Sequence, residues 1–164
     1  MNIRKISLLA LMIALSAVGA SIKIPAVVNS VALDAFPALL AAAFLGKGFG
    51  AITGGLGHLL SAMIGGFPLG ALHFVIAVEM AMLVWVFGIF YEKNKKILAG
   101  LVFVVSNAFV APSPFIFIMN LGFYTAMIPS LLIGSAMNTV LAIILIPRLS
   151  YLVQFRVKKK DFDL

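Results

Sequence analysis

Glu79 and three further ionisable residues, Asp34, His58 and His73, fall inside or at the edge of long apolar stretches. A charge in hydrocarbon is costly, so such a group takes a partner, a cavity or a proton. A carboxylate at Glu79 suits proton coupling or capture of a donor on a ligand. His73 precedes Glu79 by six residues, which turns the two about 120° apart on a helix. They flank one pocket rather than share one stripe. His58 sits at the margin of a glycine-rich face and points into protein, as a ligand contact or as a bond to a neighbouring carbonyl. Asp34, three residues before Pro37, is expected to cap a helix N-terminus. Asn107, Asn120 and Asn138 add uncharged donors and acceptors.

These residues do not assemble an enzyme. There is no Cys, hence no disulfide, thiolate ligand or cysteine nucleophile. Neither His has a carboxylate at metal-ligand spacing, and H-E-x-x-H and Walker P-loop motifs are absent. Of the five acids, Glu92, Asp161 and Asp163 belong to polar segments. No catalytic residue, resident metal or cofactor is expected.

The elements that must hold these groups follow from hydropathy. The chain of 164 residues is 63% hydrophobic and 10% charged, with a mean hydropathy of +1.20. A soluble domain of this length cannot hide so much apolar surface, whereas lipid solvates it directly. The expected fold is therefore all-α, one integral membrane domain over 1–164. Its apolar runs are 6–22, 34–46, 49–65, 69–91, 97–111 and 128–146, read as six transmembrane helices. The second and fifth are short of the ~20 residues a full span needs.

Twelve bases against five acids give a net charge of +7. The bases lie between or beyond the apolar runs, so they report topology and no nucleic-acid partner is expected. With both termini cytoplasmic, Arg4, Lys5, Lys47, Lys93, Lys95, Lys96, Arg148, Arg156, Lys158, Lys159 and Lys160 face inward and Lys23 alone faces outward. Five spans would put the C-terminal bases outside. Arg4 and Lys5, an apolar run and Ala17-Val18-Gly19-Ala20 also resemble a secretory signal, but a retained first helix is the preferred reading.

Gly50, Gly54, Gly57, Ser61 and Gly65 are spaced three or four apart, as are Ser7, Ala10, Ala14, Ala17 and Ser21. Each set lines one helix face and permits close helix approach, within the chain or to another subunit. Pro112 and Pro114 interrupt the fifth run. The stretch Pro112–Tyr124 reads as an aromatic outer cap over a pocket, or as a kinked helix at the interface.

Three groups of residues carry a family resemblance. These are Ala10-Leu11-Met12-Ile13-Ala14 in the first helix, Leu45-Gly46-Lys47-Gly48-Phe49-Gly50-Ala51, and Gly57-His58-Leu59-Leu60 with Gly66-Phe67-Pro68-Leu69-Gly70. With six spans in this length, the chain resembles the substrate-binding S component of an energy-coupling factor (ECF) vitamin transporter. Within that group the last two segments are similar to the branch assigned to α-ribazole, a cobalamin precursor. Riboflavin or another vitamin makes similar demands.

The resemblance implies capture of a vitamin or precursor outside a bacterial cell membrane. It implies delivery through a transmembrane coupling protein and two cytoplasmic ATPases, whose ATP hydrolysis topples the S component in the bilayer. The family's Ala-x-x-x-Ala docking feature maps onto Ala10 and Ala14. The implied pocket, in the outer half, draws on Asn29, Phe67, His73, Phe74, Glu79, Asn120 and Asn138. The rival function is a proton-coupled secondary transporter of a small metabolite using Glu79; no inverted repeat between the halves supports it.

Overall fold

A computed structural model describes residues 3–25 and 30–158. Its elements are α1 (Ile3–Ser21), β1 (Lys23–Pro25), β2 (Ser30–Ala32), α2 (Phe36–Leu45), α3 (Lys47–Ile64), α4 (Leu72–Glu92) and α5 (Lys96–Val105). A π-helical turn (Ser106–Val110), α6 (Phe115–Ile118) and α7 (Leu121–Lys158) follow.

Four stretches are long and apolar enough to cross a bilayer: Ile3–Ser21, Leu72–Glu92, Lys96–Ile118 and Leu121–Ser150. The expected second span is thereby corrected. With ten residues α2 rises only about 15 Å, half the hydrocarbon thickness. It is buried in protein instead, with Ala38, Leu39 and Ala41 wholly inaccessible, among α1, α3, α4 and α7. α3 has 18 residues, but its glycines, Lys47 and His58 make it less apolar than the four. Gly46, at a φ of 99° that disfavours any side chain, reverses the chain between α2 and α3.

The all-α expectation needs one addition. β1 and β2 form a short antiparallel ribbon, with Lys23 opposite Ala32 and Ile24 opposite Val31. The Ile22 and Leu33 N–H groups both donate to the Gly19 carbonyl, at 3.0 and 3.1 Å. A Cβ on Gly19 would collide with the Leu33 backbone. The small residues ending α1 are thus where the ribbon returns.

α3 is the hub. Its small-residue stripe permits close approach within the chain, and it serves three helices. Gly50 meets Ala42 of α2, Gly54 meets Met80 and Val84 of α4, and Gly57 meets Ser16 of α1. Val84, Phe87 and Phe103 fill the centre beside α2. Helix alternation gathers Arg4, Lys5, Lys47, Lys93, Lys95, Lys96 and Arg148 at one end. There Lys47 Nζ pairs with Glu92 Oε2 at 2.7 Å, and Lys96 Nζ lies 5.8 Å from the Tyr91 ring centroid.

Pro112 and Pro114 kink the chain without opening a long loop. The π-turn closes with Ala111 N–H on the Ser106 carbonyl (2.8 Å), a turn intervenes, and helix resumes at Phe115. α7 starts before the apolar run at 128 and continues through Pro129 and Pro147 to Lys158. Each proline removes one backbone bond, which a long helix packed against neighbours tolerates.

Candidate functional site

A cavity of about 460 Å³ opens at the end opposite the basic residues. The end of α1, the β ribbon, α3, α4 and α7 wall it, and Asn107 reaches it from the π-turn. Ile76, Met80, Phe123, Met127 and Leu131 supply an apolar shell. Polar groups are few and convergent: Lys23, Asp34, His58, Ser61 and His73 are the principal ones. A cavity of this size and lining suits one small organic molecule. No group of three or more potential metal ligands occurs among the described residues.

The polar cluster is built across the α3–α4 hairpin. His58 Nε2 stands 3.2 Å from His73 Nδ1, and the Leu69 N–H donates to His73 Nε2 at 3.4 Å. That backbone donor requires a lone pair on His73 Nε2, so the neutral ring carries its proton on Nδ1. His73 then donates to His58 Nε2, and His58 carries its own proton on Nδ1. Ser61, one turn beyond His58, faces the Asp34 carboxylate. Asp34 is not the expected N-cap. Ala35 holds that position, and the cap comes from another helix: Asn138 Oδ1 accepts the Ala35 and Phe36 N–H groups at 3.1 and 2.8 Å.

The residues expected in the pocket divide sharply. His73 is buried and forms cavity wall. Asn138 also lines the cavity, but Nδ2 donates to the Ala32 and Gly134 carbonyls at 2.9 Å each, so its amide is committed to protein. Phe67 sits behind His73, edge-on at 5.7 Å between centroids, and lines neither of the two described cavities. Its φ of 50° is strained for an aromatic residue; Phe67 donates to the Ala62 carbonyl and accepts from Gly70 N–H, both at 2.8 Å.

Glu79 lines an adjoining cavity of about 60 Å³ with Pro112 and Phe115. Among the described residues its side chain has no hydrogen bond or ion pair. Phe74 is 60% exposed and Asn120 is exposed, and neither lines these cavities. Phe74 follows His73 by one residue, so the helix turns it outward when His73 points in. Asn120 Oδ1 instead accepts Phe123 N–H at 2.8 Å at the start of α7. Asn29 lies outside the described residues. The expectation omitted His58, Asp34, Ser61 and Asn107 from the pocket. Their polarity in an apolar chain was the available signal, but the contacts between helices were not.

Residues 4–160 match the family described as ECF transporter, substrate-specific component. The chain belongs to this family. No curated protein matches the chain. The ECF assignment covers nearly the whole sequence, and it makes this a substrate-binding membrane subunit of an importer, a transporter component rather than an enzyme.

Proposed function

We propose that this subunit captures a vitamin or vitamin precursor, with α-ribazole the first compound to test, from outside a bacterial cell membrane. The cavity opposite the basic end carries the reading. It offers Phe123 and the two imidazoles to a heteroaromatic ring, and Asp34, Ser61 and His58 to hydroxyls. The bases support an orientation with both termini and the Lys47–Glu92 pair in the cytoplasm and the cavity toward the exterior. In this arrangement α2 reaches part-way through the membrane inside the bundle, and α3 returns the chain toward the exterior.

Ala10 and Ala14 support docking to a transmembrane coupling protein that works with two ATPases. Both are exposed on α1, on the side away from Ser16, Gly19 and Ala20, which are buried in the bundle. Detergent-purified chain is expected to retain a compound identifiable by native mass spectrometry. Competition with α-ribazole, riboflavin and other vitamins then ranks the ligands, at nanomolar to micromolar affinity for the true one. A chain that binds none of them contradicts the proposal. So does uptake by the chain alone in liposomes under a proton gradient, which would turn attention to Glu79 in the adjoining cavity as a coupling site.

A further inference from the structure

We propose that Asn107 determines specificity by reading an adjacent donor and acceptor on the ligand at the junction of the two cavities. This rests on the cavity being the capture site. Three asparagines, Asn107, Asn120 and Asn138, follow α5, and their amides have different fates. Asn138 spends its amide on four protein bonds, and the carbonyl of Asn120 caps α7. The Asn107 side chain has no hydrogen bond among the described residues. Its Oδ1 and Nδ2 are both left for a ligand.

The π-turn sets its position. Along α5 the buried places are Ala99, Gly100 and, four residues after Ala99, Phe103, and the next is Ala108, five beyond Phe103. A continuous α-helix would have given that inward place to Asn107. The extra residue in the turn hands it to Ala108 and leaves Asn107 half-buried at the cavity wall. Asn107 lines both cavities, as do Leu69, Ile76, Phe123, Met127 and Leu131. Among these shared residues it alone is polar. A carboxamide in an apolar collar pairs best with two neighbouring polar groups, one accepting from Nδ2 and one donating to Oδ1. A vicinal diol meets that demand. The ring of such a ligand packs against Phe123 and Leu131.

The test compares ligands that differ in that polar pair. Full-length protein in detergent is titrated with α-ribazole against 5,6-dimethylbenzimidazole, and with riboflavin against lumichrome, which lacks the ribityl chain. Wild type is expected to prefer the hydroxyl-bearing member of at least one pair by about tenfold or more. Asn107→Leu is expected to reduce that preference about tenfold while the bare ring binds as before. Asn107→Asp, nearly isosteric and retaining only acceptors, should fall between them, and it supplies the readout if the leucine variant does not fold. Leu101→Ala, on the outward face of α5, should match wild type.

An unchanged preference in the Asn107 variants, with wild type binding normally, overturns this inference and leaves the capture function standing. Equal weakening of both members of a pair also overturns it, because that signals lost packing. Failure of wild type to bind any of the four defeats the proposed ligand class and the inference together.

Discussion

Gly57 of α3 lies against Ser16 of α1 so closely that a Cβ on Gly57 would stand 2.7 Å from both Ser16 Cβ and Ser16 Oγ. Ser16 is wholly buried, and its hydroxyl is already committed to the Met12 carbonyl at 3.3 Å. Neither side has room to yield. Gly57→Val is therefore expected to lower stability by about 1–3 kcal/mol, the usual cost of overpacking, or more if α1 detaches. Thermal unfolding in detergent measures this. Gly48→Ala, which has open space around it, is the matched control and should melt within about 0.5 kcal/mol of wild type.

Asn138 ties three parts of the chain together, because its amide reaches the Ala32 carbonyl, the first N–H groups of α2 and the Gly134 carbonyl. Asn138→Leu strands the Ala35 N–H, which is buried, and frees the ribbon from α7. The expected loss is about 2 kcal/mol or more, since each buried group left unpaired costs about 1–3 kcal/mol. Ligand affinity should fall with it, because the Ala32–Ala35 segment is cavity wall. A variant that melts and binds like wild type would show that the amide contributes nothing.

What the sequence disclosed and what it hid divide along physical lines. Membrane residence and the clustering of bases needed only composition and order along the chain. The half-length α2 was read as a span because hydropathy treats lipid and a protein interior as one apolar medium. Asp34 was assigned the cap because local rules look within a few residues, whereas the true cap, Asn138, lies more than a hundred residues away. Phe74 was placed in the pocket beside His73, although neighbours on a helix point about 100° apart. The link between His58 and His73 depends on α3 and α4 packing antiparallel, and the exposure of Asn107 on one inserted residue in a helix. Neither has a signature in spacing alone.

Ala10 and Ala14 face away from the bundle, beside Leu11 and Val18, which are 51% and 60% exposed. Bulky residues there extend from an exposed face of the described bundle. Replacing both with Trp is expected to leave the melting temperature and ligand affinity unchanged, within the ~0.5 kcal/mol typical of surface changes. ATP-driven uptake in the presence of the coupling protein and ATPases should be lost, as should co-purification with them. Impaired ligand binding in the same variant would show that α1 serves the pocket, against the separation of docking and binding surfaces.

The His58–His73 bond makes binding sensitive to acid. Leu69 N–H occupies the lone pair of His73 Nε2, and His73 Nδ1–H occupies that of His58 Nε2, so the arrangement holds only with both rings neutral. A proton added to His73 displaces the Leu69 N–H. One added to His58 turns Nε2–H toward Nδ1–H. Either event loosens the α3–α4 connection, where Pro68 and Leu69 form cavity wall. Affinity is therefore expected to be retained at neutral and high pH and to fall across the acid range, where the imidazoles take up protons. Asp34 and Lys23 also line this cavity, so the comparison must separate them. The double variant His58→Leu, His73→Leu should bind more weakly at neutral pH and show a flattened profile across that range, while Asp34→Asn should keep the wild-type slope. Calorimetric titration at several pH values distinguishes these outcomes. A profile that stays steep without either histidine would assign the acid sensitivity elsewhere.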